Sequence, residues 1–238
     1  MTTQLKINGD IISNSDKWVY EFYGVEYTCP NDILDQLPKD GSDVEITINS
    51  GGGLVTSGNE IYTTLKSYDG HVTVNIINAG SAASIIAMSG DKVRISPVGQ
   101  IMIHNVSMGA IGDYHDMEKA SEILQKANEA LANAYRLKTG MSKEILLEKM
   151  DKETWLNAED AKEYGFADEI MFDDDYKLEL VASSGMSITK AMKDKALEMK
   201  NAKQTFDIDD IEKIVEKIIN KQKEPEVDKQ SSLDGFFF

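Results

Sequence analysis

The chain has 238 residues, 41% of them hydrophobic, which is enough for one sizeable core and an appendage. A formal net charge of −16 excludes proteins that grip nucleic acid through its phosphates, since that needs clustered Lys and Arg. A lone cysteine, Cys29, excludes an internal disulfide and a metal site of several thiolates; with neither a signal-like N-terminus nor an apolar run of about 18–20 residues, the chain is expected to be cytoplasmic and not bound to a membrane.

From Gln4 to about Phe172, short apolar runs alternate with longer helical segments, which predicts an α/β fold of β-α-β units around a buried sheet. Strands are expected at 5–11 (LKINGDI), 44–50 (VEITINS), 72–78 (VTVNIIN), 92–97 (KVRISP) and 100–106 (QIMIHNV), where β-branched residues concentrate. Residues 53–68 predict a helix opened by a glycine run, and 81–90 (SAASIIAMSG) a short buried one. A long helix follows at 113–139. There Met117, Ala120, Leu124, Ala127, Leu131 and Ala134 recur at three- and four-residue spacing, and Gly140 stops the helix. Ser142 caps a helix in SKEILLEKM, and Asn157 caps another in NAEDAKEYG that ends at Gly165; between them DKETW, 151–155, reads as a loop.

After Phe172 the composition changes, dividing the chain into a main domain, 1–182, and a tail, 183–238. The tail holds ten Lys against eleven Asp or Glu, so most of the net charge belongs to the main domain. Within it, Ile208, Ile211, Ile214, Val215, Ile218 and Ile219 predict a short amphipathic helix capped by Asp207. The polar stretch KQKEPEVDKQSSLDG reads as disordered, and Phe236–Phe238 close the chain.

Three features carry candidate chemistry. The run Asn49-Ser50-Gly51-Gly52-Gly53 follows a strand and opens a helix, so its backbone N–H groups can converge on negative charge, and no Walker-type Lys-Ser or Lys-Thr follows. Ala79-Gly80-Ser81-Ala82-Ala83-Ser84 leads from a strand into a buried helix, the junction at which unrelated hydrolases expose a nucleophile. Ser81 is the better helix cap, which leaves Ser84 for another role. His104 ends the strand run IMIH and is the base such a serine needs, whereas His71 and His115 read as surface residues. A carboxylate to orient the imidazole is sought in Met150–Trp155, which contains both Asp151 and Glu153.

Taken in order, Ile48-Asn49-Ser50-x-Gly52-Gly53, Gly80-x-Ala82-Ala83-Ser84, Ile101-Met102-Ile103-His104, Thr139-Gly140 and Ala158-x-x-Ala161-x-x-Tyr164-Gly165-x-x-Asp168 resemble the Clp protease proteolytic subunit over about residues 5–172. The resemblance implies a serine endopeptidase on the ClpP/crotonase-like fold, with a β-α-β spiral core, a protruding handle helix and assembly into stacked rings around a chamber. It implies Ser84 as nucleophile, His104 as base, an oxyanion hole from the N–H groups of Gly53 and Ile85, and a substrate-binding loop at Gly51 and Gly52, with no metal and no cofactor.

Two departures accompany it. Gly51 stands where the family has proline, and ungapped alignment puts Glu153, ahead of Asp151, where the family has its triad aspartate. The family's partners are protein substrates, further copies of the chain and an ATP-driven unfoldase; because the chain begins almost at the first strand, coupling to an unfoldase is doubtful. With its tail, the chain looks more like the Clp-type head maturation proteases of bacteriophages, which act on scaffold and capsid proteins. Relatives on the same architecture supply two alternatives, an acyl-CoA enzyme and an inactive assembly scaffold.

Overall fold

The β-branched runs form strands as their pattern predicts. In the computed structural model, which describes residues 2–173 and Lys195, β1 (Thr3–Ile11), β3 (Val44–Gly53), β4 (Val72–Gly80) and β5 (Lys92–Ile103) lie side by side in parallel. Register is set by the alternating apolar residues. Ile46 pairs with both Leu5 and Val74, and Ile48 with both Ile7 and Ile76, which puts one unbroken apolar face against the core. The expectations for the tail, including its helix at 208–219, lie outside the described residues.

The connections are helices, as parallel strands require. α3 (Val55–Lys66) buries Ser57, Gly58, Ile61 and Leu65, and every residue of α4 (Ala82–Ala87) is buried. The long helix is α5 (Tyr114–Thr139), capped by Asp113, whose carboxylate accepts from the N–H groups of His115 and Asp116, and closed by Gly140 at φ 73°. Only its last third packs on the core, through Leu131, Ala132, Ala134 and Tyr135. Tyr114, Met117 and Ile123 are exposed, so the helix projects as a handle. α6 (Lys143–Asp151) and α7 (Ala158–Glu163) start at the expected caps, Ser142 and Asn157.

Several elements depart from expectation. The two strands expected at 92–97 and 100–106 are one strand, β5, carrying an excursion at 96–99: Ile95 pairs with Ile76, while Gln100 pairs with Asn78. β4 bulges at the same level, leaving Ile77 exposed, and the strand ends beyond it bend together. The loop expected at 151–155 contains the start of a strand, β6 (Thr154–Leu156), which pairs antiparallel with β5. Three short elements precede β3: α1 (Lys17–Tyr23), β2 (Tyr27–Thr28) and α2 (Pro30–Leu34), where Lys17 pairs with Asp32 at 2.5 Å. β7 (Glu169–Ile170) pairs parallel with the earlier part of β5, at Arg94 and Ile95. Among the described residues no helix is long and apolar enough to cross a membrane.

Candidate active site

The C-terminal ends of β3, β4 and β5 supply the site. β4 runs out in Ala79 and Gly80, small residues that let the next turn fold back closely, and the turn itself is Ser81. Its φ of 50° and ψ of −123° are a conformation non-glycine residues rarely take, held in place by neighbours on both sides. The Ser81 N–H donates to the carbonyl of Met102 at 2.9 Å, tying the turn to β5. From the other flank Gly52, at φ 108°, approaches so closely that a Cβ there would lie 2.6 Å from the Ser81 Cβ.

His104 follows the last residue of β5, and its Nε2 lies 2.7 Å from the Ser81 hydroxyl oxygen. Ser81 therefore occupies the N-cap position of α4 without capping it; its side chain meets the imidazole instead. The expected pairing of Ser84 with His104 is not what the structure holds. Ser84 is fully buried, three residues into the helical run, and its hydroxyl lies 2.6 Å from the Ser81 carbonyl and 2.7 Å from the Tyr135 hydroxyl. The contacts are the reverse of those expected: the Ser84 hydroxyl meets the Ser81 carbonyl and the Tyr135 hydroxyl, and the Ser81 hydroxyl meets the His104 imidazole.

The expected oxyanion donors divide in the same way. Ile85 is buried and its N–H is directed at the Ser81 carbonyl, 3.4 Å away, inside the helix. The N–H that directly follows Ser81 belongs to Ala82, a first-turn position with no acceptor within the helix. Gly53 lies flat against the Ile11 backbone. The Ile11 carbonyl is taken by the N–H of Leu54. Gly51 is exposed with open space around it, while Gly52 donates to the Ser50 hydroxyl at 3.1 Å.

Neither candidate acid touches His104. Asp151 accepts from the Asn105 amide at 2.7 Å, and Glu153 accepts from the Trp155 indole N–H at 3.3 Å. Their positions nonetheless differ in kind. In the β5–β6 ladder Met102 pairs with Trp155 and Ile103 with Thr154, so the next step along brings Glu153 opposite His104. Glu153 has a φ of 48°, which ends the ladder there and turns the side chain aside. Ser81 is the site residue that sequence reasoning passed over. The available signal was its place as the first residue after the strand, at the turn and not on the helix, which is where a nucleophile elbow puts its serine.

A serine in a strained strand-to-helix turn with an imidazole nitrogen on its hydroxyl is the arrangement of the serine hydrolases. Residues 31–174 match the family described as Clp protease, and the chain belongs to that family of serine peptidases, whose members act on protein substrates and assemble as oligomers.

Proposed function

We propose that the protein is a serine endopeptidase in which Ser81 is the nucleophile and His104 the general base. The observation that carries this is the 2.7 Å separation of the His104 Nε2 and the Ser81 hydroxyl oxygen. In the tautomer with its proton on Nδ1, His104 accepts the Ser81 proton as the oxygen attacks the scissile carbonyl. It returns that proton to the leaving amine, and water then releases the acyl group from Ser81. The N–H groups of Ala82 and Gly53 face the developing oxyanion; losing one such donor raises a barrier by about 2.7–4 kcal/mol. Glu153, in register with His104, turns from Trp155 to accept a hydrogen bond from the Nδ1–H and hold that tautomer.

The likeness to phage head maturation proteases supports scaffold and capsid proteins as substrates, and family membership supports action within an oligomeric chamber. The main domain at 1–182 carries this chemistry, and the tail at 183–238 is an appendage. An acyl-CoA enzyme on the same architecture has no use for the Ser81–His104 pair, which sets that alternative behind peptidase.

A fluorophosphonate probe followed by peptide mapping tests the assignment. The adduct is expected on Ser81 and absent from Ser81→Ala, which also loses peptide hydrolysis. An adduct on Ser84, or labelling that persists in Ser81→Ala, overturns it.

A further inference from the structure

Ser84 and Tyr135 have no part in the chemistry just described, yet they form a buried polar pair directly behind the nucleophile. The Ser84 hydroxyl has one hydrogen and two neighbours, the Ser81 carbonyl at 2.6 Å and the Tyr135 hydroxyl at 2.7 Å. A carbonyl only accepts, so Ser84 donates to Ser81, and Tyr135 must donate to Ser84. Two hydroxyls thus run in series from the core end of the handle helix to the backbone of the nucleophile. Tyr135 is fixed at its end, with its ring against Phe166 at a centroid distance of 5.6 Å and almost no exposure. Burial holds its phenol well above the usual range, so it stays a neutral donor throughout any practical assay.

The carbonyl that receives this relay belongs to the same planar peptide unit as the Ala82 N–H. In a trans peptide the two point in opposite directions, so whatever fixes the Ser81 carbonyl also aims the Ala82 N–H. We propose that Ser84 and Tyr135 are positioning residues that orient the Ser81–Ala82 peptide and so aim its N–H at the oxyanion. The inference rests on Ser81 being the nucleophile. It places the effect in the transition state, where the oxyanion forms, and not in substrate binding.

The test compares Ser84→Ala, Tyr135→Phe and the double variant in steady-state hydrolysis of a fluorogenic peptide, with thermal unfolding in parallel. Ser84→Ala is expected to lower kcat roughly 10- to 100-fold with KM nearly unchanged, since a small misalignment of a catalytic donor costs that much. Tyr135→Phe, which leaves the Ser84 donation in place, lowers kcat by a smaller factor. The double variant is no slower than Ser84→Ala, because Tyr135 acts only through Ser84. Folded variants with the parental kcat and a lowered melting temperature overturn the relay and leave a purely structural pair. Should Ser84→Ala not fold, Tyr135→Phe decides alone, with parental kcat as the refuting result. Probe labelling mapped in the parent keeps the two readings apart: an adduct on Ser81 beside unchanged kcat in the relay variants removes only the relay, whereas an adduct elsewhere removes the underlying assignment.

Discussion

Substituting Gly52 by Ala tests whether the turn at Ser81 is held as tightly as its geometry indicates. The added methyl would lie 2.6 Å from the Ser81 Cβ, 2.7 Å from the Gly80 carbonyl oxygen and 3.0 Å from the Ala82 nitrogen. Carbon atoms settle at about 3.5–4.0 Å, so the shortfall against Ser81 is about 1 Å, and two of the three neighbours are backbone. The backbone at φ 108° adds on the order of 1–3 kcal/mol for a residue with a side chain, and overpacking about as much again. For a domain of this size the melting temperature is expected to fall by roughly 5–25 °C. A displacement of about 1 Å at Ser81 lowers kcat by about 100-fold. Hydrolysis of a fluorogenic peptide and thermal unfolding by circular dichroism measure both, with Gly109→Ala as reference because its new methyl meets nothing within 4 Å. A Gly52→Ala protein within about threefold of the parental kcat and about 2 °C of its melting point refutes the close approach.

Glu153→Gln is expected to lower kcat by about 100-fold or more, and Asp151→Asn by far less, because only Glu153 is in register with His104; the reverse order under identical peptide assay conditions removes Glu153 from the mechanism. On the outer face of the sheet Glu45 accepts from Gln4 and Asn75 and pairs with Arg94, and these bonds hold its carboxyl below the ordinary 4.5. A depressed carboxyl stabilises the fold above its ordinary value and loses that contribution as pH falls through the lowered one. Glu45→Gln therefore costs about 1–2 kcal/mol at neutral pH, and urea unfolding should show the gap from the parent closing below pH 4.5; a gap independent of pH contradicts this. Phe166→Ala, at a fully buried position against Tyr135, should cost about 3–5 kcal/mol in the same unfolding assay, and a loss under about 1 kcal/mol denies it a core role.

Much of the fold was legible because its signals are local. Val44–Ser50 and Val72–Asn78 announce strands by β-branched alternation, and Asp113, Ser142 and Asn157 announce helix starts because a cap is a contact across three residues. β6 was not legible, since its three residues become a strand only by pairing with Ile101–Ile103, some fifty positions earlier. The same division runs through the site. The glycine loop, the strand-to-helix junction and His104 could be read from residue type, whereas the choice between Ser81 and Ser84 could not. Residues three apart on a helix share a face, so a helical Ser81 would point the same way as Ser84. The positive φ of Ser81 breaks that relation and turns one hydroxyl to the imidazole and the other to the core. Tertiary approach by Gly52 and Met102 imposes it, and the string of small residues around both serines carries no trace of it.

The placement of β6 also sets an order of events. Ser81 and His104 come from strands made early, but the position opposite His104 is filled only after the chain has passed through the handle helix and returned to Thr154. On a ribosome adding about 5–20 residues per second, the 52 residues from His104 to Leu156 take on the order of 3–10 s. For that interval a nascent chain holds Ser81 and His104 without the residue that comes to stand opposite His104, Glu153. If Glu153 holds the tautomer as proposed, the centre reaches its full rate only once β6 has paired with β5, the last step in building the site.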